Sequence, residues 1–229
     1  ASNNGPVCAG ETLTLAGGPD GMASYSWTGP DGFTSDQQNP TVSTAATVAM
    51  GGVYTLIVND GDCNSLPVST TAIVHPLPVV VATSNSPVCT GGILYLTASG
   101  GAPTGTTQYL WTGPAGFTQT TYYPTVIASH NSVTTANTGW YYLRVTDGIT
   151  GCVNTDSTWV DVMDPVGTPS TPDGTIARCQ GDGTDTYTTS AANATSYNWT
   201  ITPAGAGTIT TGTASAVVTW NASFFGVAT

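Results

Sequence analysis

The segment Tyr25-Ser26-Trp27-Thr28-Gly29-Pro30-Asp31-Gly32-Phe33 returns 84 residues later, Trp111 against Trp27, as Tyr109-Leu110-Trp111-Thr112-Gly113-Pro114-Ala115-Gly116-Phe117. Its neighbours return in the same order. Gly5-Pro6-Val7-Cys8 is answered by Ser86-Pro87-Val88-Cys89, and Leu13-Thr14-Leu15 by Leu94-Tyr95-Leu96. Pro40-Thr41-Val42 is answered by Pro124-Thr125-Val126, and Gly52-Val53-Tyr54-Thr55-Leu56-Ile57-Val58 by Gly139-Trp140-Tyr141-Tyr142-Leu143-Arg144-Val145. Cys63 and Cys152 close the two copies. Self-similarity at a fixed period means that one small folding unit has been duplicated, so each copy must bury a core of its own within about 80 residues.

A third, diverged copy starts near Cys179, with Tyr197-Asn198-Trp199-Thr200 where the earlier copies carry Tyr-x-Trp-Thr. Proline marks the boundaries, in His75-Pro76-Leu77-Pro78 and in Asp164-Pro165-Val166-Gly167-Thr168-Pro169, because it cannot donate to a strand ladder and it stiffens a short link. Within each copy the pattern is short and two-fold: Leu13/Leu15, Tyr25/Trp27, Val53/Thr55/Ile57 and Val68/Thr70/Ala72/Val74, separated by Gly, Pro, Asn and Asp. The expectation is an all-β chain of tandem immunoglobulin-like β-sandwiches, about seven strands each, over residues 1–76, 77–163 and 164–229. Two copies are expected to be complete, and the third to be PKD-like and to lack its last strand or two. The Trp of the Tyr-x-Trp strand is expected in the core, with the later Gly-x-Tyr strand packing opposite it.

Composition narrows the chemistry. The straight-chain helix formers are scarce beside Thr, Ser, Val and Gly. Thirteen acidic residues stand against two basic ones, Arg144 and Arg178, and there is no lysine, for a net charge of −11. Such a balance argues against nucleic acid and anionic membrane as partners, and the lack of lysine removes Schiff-base and P-loop lysine chemistry. No apolar run is long enough to insert in a bilayer. The absence of lysine also leaves strand edges without a common protective charge, which favours pairing with neighbours.

Pro-Val-Cys-x-Gly, Tyr-x-Trp-Thr-Gly-Pro-x-Gly-Phe, Gly-x-Tyr-x-x-x-Val-x-Asp and the closing Cys together resemble the Ig-like and PKD-like repeats of large secreted surface proteins of Bacteroidetes-type bacteria. The resemblance covers residues 1–163, and the third copy is similar to a PKD-type variant through Cys179-Gln180-Gly181 and Tyr197-x-Trp199. It implies adhesion, spacing or assembly at the cell surface. One departure is that the aspartate-rich Gly-Asp-Gly turn of typical PKD domains is replaced by Gly-Pro-Asp-Gly or Gly-Pro-Ala-Gly.

Of the five cysteines, Cys8 with Cys63 and Cys89 with Cys152 stand at the two ends of a copy, so each copy is expected to close on its own disulfide. Bridges of that loop length contribute roughly 4 kcal/mol each in the chain-entropy view, and place the chain in an oxidising, extracellular or cell-surface compartment. Cys179 is left unpaired, intermolecular, or part of a truncated domain. The partners expected are other copies of the chain or neighbouring repeats, including by strand donation, and surface glycans.

Catalysis is not expected. His75 lies in a linker, His130 in a Ser/Asn/Thr-rich stretch, and Glu11 is the one glutamate. No cofactor is expected other than calcium, for which Asp60, Asp62, Asp182 and Asp185 on Gly-rich turns are weak candidates, Asp-Gly being also ordinary turn chemistry. Tyr122, Tyr123 and Trp140 occur only in the second copy and are candidate surface contacts for a ligand. Two function classes follow: a non-catalytic structural or adhesive protein, as a surface stalk or filament subunit, or a carbohydrate-binding accessory module of a secreted glycan-degrading enzyme.

Overall fold

The computed structural model describes residues 1–121, 126–175, 183–224 and 226–228. Among these there is no α-helix: the chain is all-β, with short 3-10 turns. It divides into two compact units, Ala1–Val162 and Met163–Thr229. The first unit holds two separate hydrophobic cores, one per repeat.

In the first repeat one sheet runs Thr34–Ser35, Ser24–Thr28, Gly52–Asn59, Val68–Ala72, and the other Ser2–Asn3, Leu13–Ala16, Thr41–Ser43. The second repeat has the same plan. One sheet is Thr118–Thr121, Thr107–Thr112, Gly139–Asp147, Val153–Val160, and the other Val79–Ser84, Ile93–Gly101, Val126–Asn131. Alternation along each strand sends one set of side chains inward. Trp27, Tyr54 and Leu56 with Leu13 and Leu15 fill the first core; Trp111, Tyr141 and Leu143 with Leu94 and Leu96 fill the second. The tryptophans of the repeated motif are thus core residues. The Gly-x-Tyr strand lies beside the Tyr-x-Trp strand rather than across from it: Trp27 pairs with Leu56 and Trp111 with Leu143 in an antiparallel ladder, so the paired side chains share the inward face.

Beyond the expected strands, each repeat carries a small extra pair. Val7–Cys8 runs parallel to Val74–His75, and Val88–Cys89 pairs with Val162–Met163. One edge of each sandwich is sealed without lysine. Asn3 Nδ2 donates to Thr70 Oγ1 (2.8 Å) and to the Thr71 carbonyl (3.1 Å), and in the second repeat the Ala82 N–H donates to the Asp156 carboxylate (2.8 Å). Side chains reaching across the seam occupy backbone groups that an open edge would offer to another chain.

The repeated Gly-Pro-x-Gly-Phe and Gly-x-Tyr motifs are one interlocking unit. Tyr54 Oη donates to the Met50 carbonyl (2.7 Å) and Tyr141 Oη to the Asn137 carbonyl (3.1 Å), four residues upstream in each case, the tyrosine corner of immunoglobulin sandwiches. Phe33 meets the Tyr54 ring edge-on at 5.5 Å and Phe117 meets Tyr141 at 5.4 Å. A Cβ on Gly29 would lie 2.3 Å from the Tyr54 ring, and one on Gly113 2.5 Å from Tyr141. Both glycines are extended, so contact with the ring, not backbone conformation, is what demands glycine there.

The second unit is a three-stranded antiparallel sheet in the order Gly183–Thr188, Ser215–Trp220, Gly207–Thr211. Residues 197–200, expected as the Tyr-x-Trp strand of a third sandwich, form no strand. In the first two repeats this segment is held by ladders on both sides, whereas here no described strand pairs with it. Tyr197 instead closes a local loop, its Oη accepting from the Ala191 N–H at 2.8 Å.

The cysteine pairing expected from the sequence is overturned. Cys8 bonds Cys152, across the two repeats, with Cα atoms 5.6 Å apart, while Cys63 and Cys89 are free and exposed. The reason is strand length. Cys8 sits next to His75, just past Ala72, which faces Gly52; Cys63 follows Asn59, at the other end of the same strand. An eight-residue strand separates its ends by roughly 23 Å, far beyond the ~4.4–6.8 Å a disulfide tolerates. Cys89 and Cys152 are separated in the same way by Gly139–Asp147.

Candidate functional site

Two features stand out from the sandwich scaffold: the junction clamped by the disulfide, and an exposed aromatic face confined to the second repeat.

At the junction the opening cysteine of the first repeat reaches the closing cysteine of the second. The Cys8 N–H donates to a Glu11 carboxylate oxygen (2.8 Å), and Gly10, with φ 88°, lets the loop turn so that its N–H reaches the Ala46 carbonyl. On the other side Asp147 organises the closing turn. Its Oδ1 accepts from the Ile149 and Thr150 N–H groups (2.9 and 3.2 Å) and from the Thr104 hydroxyl, and its own N–H donates to the Cys152 carbonyl (2.8 Å). Burial pushes the Asp147 carboxyl up, but the Thr104, Ile149 and Thr150 donors outweigh it and hold it below the usual aspartate value. Asn154 Nδ2 donates to the Pro78 carbonyl (2.9 Å), tying the link between repeats to the second sandwich. Cys152 is 1% exposed: the junction covers it.

The aromatic face lies on the outer side of the Gly139–Asp147 and Val153–Val160 strands. Trp140 stands directly across from Trp159, the rings meeting edge-to-face at 5.6 Å. Tyr142 follows two residues along and Arg144 two further, so all lie on one side of the pleat. Trp140, Tyr142 and Trp159 are 48%, 53% and 50% exposed, unusual for large rings on a sheet. Leu110, Thr112 and Thr155 complete a shallow cleft beside Tyr142 and Arg144. The first repeat places Val53, Thr55, Ile57 and Thr71 at the matching positions, so the face belongs to the second copy alone. Aromatic rings and arginine are the side chains most enriched where proteins bind partners.

Of the residues singled out from the sequence, Trp140 lies on this face. Tyr122 and Tyr123 lie outside the described residues, as do Cys179 and Asp182. Trp159, Tyr142 and Arg144 were missed, although Trp159 occupies a strand position that alternation marks as outward. The Asp60 carboxylate accepts from the Asp62 and Cys63 N–H groups (3.0 and 2.9 Å), which hold it below the usual aspartate range. Asp185 receives the Trp220 indole N–H (2.7 Å). Among the described residues no three His, Cys, Asp or Glu side chains gather as a metal site.

A family model described as a PKD-like domain matches residues 165–226. No curated protein sequence matches the chain. Among solved structures, the chain is similar to the N-terminal eight Ig domains of Down Syndrome Cell Adhesion Molecule, with 14% identity and a TM-score of 0.55 over 84% of this chain. The chain spans 28% of that structure. The three N-terminal domains of the bacteriophage RB49 Highly Immunogenic Outer Capsid protein align over 94% of this chain and 83% of theirs, at 15% identity and a TM-score of 0.44. The first likeness speaks to fold alone: the chain holds tandem immunoglobulin-like sandwiches, and residues 165–226 are similar to a PKD-like domain. A chain of such modules with a disulfide fits an extracellular protein.

Proposed function

We propose that this chain is a non-catalytic segment of a secreted or cell-surface stalk, of the Bacteroidetes-type adhesin kind that its motifs resemble, built to carry tension between a surface and whatever the stalk holds. The observation that supports this reading is the Cys8–Cys152 bond. It joins a residue near the start of the first sandwich to one near the end of the second, a sequence separation of 144. Tension entering before Cys8 and leaving after Cys152 passes through the two sulfurs, so the residues between them, Trp27, Leu56, Trp111 and Leu143 of the two cores included, lie off the load path. In the chain-entropy view, closing a loop of that size also stabilises the folded pair by about 5 kcal/mol. The exposed Trp140, Tyr142, Trp159 and Arg144 supply a contact face on the same scaffold.

Single-molecule extension of the full chain, held at its two termini, tests the reading. Oxidised protein should show no extension from residues between Cys8 and Cys152. Reduction should release them and add roughly 500 Å of contour length, at ~3.3–3.6 Å per residue. Equal contour lengths in the two redox states would overturn it.

A further inference from the structure

Cys63 and Cys89 are repeat counterparts of the bonded pair: Cys63 stands in the first copy where Cys152 stands in the second, and Cys89 in the second where Cys8 stands in the first. The equivalence holds at the level of individual hydrogen bonds. Around the opening cysteines, Glu11 N–H donates to the Cys8 carbonyl at 3.0 Å and Gly92 N–H to the Cys89 carbonyl at 2.9 Å. Gly10 N–H reaches Ala46 at 2.8 Å and Gly91 N–H reaches Val133 at 2.7 Å, with φ of 88° and 86°. Val7 N–H donates to the Ile73 carbonyl and Val88 N–H to the Asp161 carbonyl, both at 3.0 Å.

Around the closing cysteines, Asp60 N–H donates to the Cys63 carbonyl and Asp147 N–H to the Cys152 carbonyl (3.3 and 2.8 Å). In both turns the aspartate Oδ1 gathers the following N–H groups. What differs is cover. Cys152 is enclosed by the junction, whereas Cys63, in the same kind of turn, is exposed, and so is Cys89. The two free thiols therefore sit in frames that a bonded pair already occupies elsewhere in the same chain.

We propose that Cys63 and Cys89 are the open rungs of a disulfide ladder between successive repeats, Cys63 bonding the opening cysteine of a repeat docked ahead of the first sandwich and Cys89 the closing cysteine of a repeat docked behind the second. The inference rests on the stalk reading and extends it: each junction is clamped, so the load path passes from one repeat to the next through sulfur. The partner is defined by its chemistry, an Ig-like repeat of this type with a cysteine in the complementary frame, in the same polypeptide or in another copy. Each rung forms by exchange with a disulfide donor, a small-molecule disulfide or an oxidised dithiol protein. The two thiols give up two protons and two electrons, the donor S–S bond breaks to two thiols, and one new S–S bond forms.

The test places a complementary frame where the ladder requires one. An additional copy of residues 1–163 is fused ahead of Ala1 of the full chain, refolded with oxidised glutathione, and its disulfides are mapped by mass spectrometry without reduction. The expected map contains Cys8–Cys152 in both copies, plus Cys89 of the leading copy bonded to Cys63 of the following one. Cys63→Ser in the following copy should remove that rung and leave both Cys8–Cys152 bonds in place. The unfused chain, oxidised at rising concentration, separates the two sources. Cys63–Cys89 bonds between molecules mean that another copy can supply the partner; their absence, with the rung present in the fusion, assigns the partner to the same polypeptide. Cys63 and Cys89 recovered as free thiols in both experiments, or as indiscriminate Cys63–Cys63 and Cys89–Cys89 bonds, would overturn the ladder while leaving Cys8–Cys152 intact. Loss of Cys8–Cys152 itself would strike the stalk reading instead.

Discussion

Substituting Gly113 with Ala isolates the contact that makes glycine necessary in the repeated motif. Gly113 has φ −169°, an extended conformation open to any residue, so alanine meets no backbone penalty. Its Cβ, however, would lie 2.5, 2.6 and 3.0 Å from Cδ1, Cε1 and Cγ of Tyr141. Carbon pairs rest at about 3.5–4.0 Å, so the ring or the turn must move by roughly 1 Å. Tyr141 is fully buried, tethered through its hydroxyl to the Asn137 carbonyl and braced edge-on by Phe117, so movement breaks one or both contacts. Overpacking of this kind costs about 1–3 kcal/mol, and for a domain of this size about 2 kcal/mol lowers Tm by roughly 10 °C. Differential scanning calorimetry of the full chain should show the transition of the second repeat falling by that amount. In a Tyr141→Leu background, where the ring is gone, the same Gly113→Ala change should cost less than about half as much. A Gly113→Ala protein melting within about 1 °C of wild type, or an undiminished effect in the Tyr141→Leu background, would refute the ring-contact account.

Other outcomes follow from the same geometry. Ala115 sits at φ 54°, where an L side chain is strained, and the following Gly116 has open space around it; Ala115→Gly should stabilise the second repeat by up to about 1 kcal/mol, read as a higher chemical-denaturation midpoint. Asp147 has a folded-state pKa held below its unfolded value, so its contribution is present above the unfolded value near pH 4 and is lost as pH falls through the folded one. Acid titration of stability should therefore be shallower between about pH 4 and 2 in Asp147→Asn than in wild type, measured by denaturant midpoints across that range. With the aromatic face proposed as a contact for surface glycans, Trp140→Ala and Trp159→Ala should each lower glycan-array binding by an order of magnitude or more, about 1.4 kcal/mol or more, with Tm little changed because both rings are half exposed. Binding retained by the double variant would remove this face as the contact surface.

How far the sequence could be read depended on whether a feature was local. The Tyr-x-Trp and Gly-x-Tyr strands, their alternation and the burial of Trp27 and Trp111 all follow from side chains two residues apart, and the order of landmarks in two copies set the number of folding units. The outward aromatic face was half visible: Trp140 stood out because its copy differs from Val53, but the pairing that brings Trp159 beside it is a register between strands, which spacing alone does not set. The Tyr-x-Trp match in the third copy was misleading, since a strand exists only where a neighbour satisfies its backbone, and none of the described strands pairs with residues 197–200.

The sequence by itself determined that this is a repeated, all-β, disulfide-bearing chain with no lysine and no basic patch, because period, composition and proline placement are properties of the chain as written. Only the tertiary structure decided which cysteines meet. The intervals, 63 − 8 = 55 and 152 − 89 = 63 residues within a repeat against 144 between repeats, do not by themselves decide which bond forms. Strands Gly52–Asn59 and Gly139–Asp147 separate the two cysteines of each repeat by the length of a sandwich, and the Cys8–Cys152 bond brings the opening cysteine of one repeat to the closing cysteine of the next.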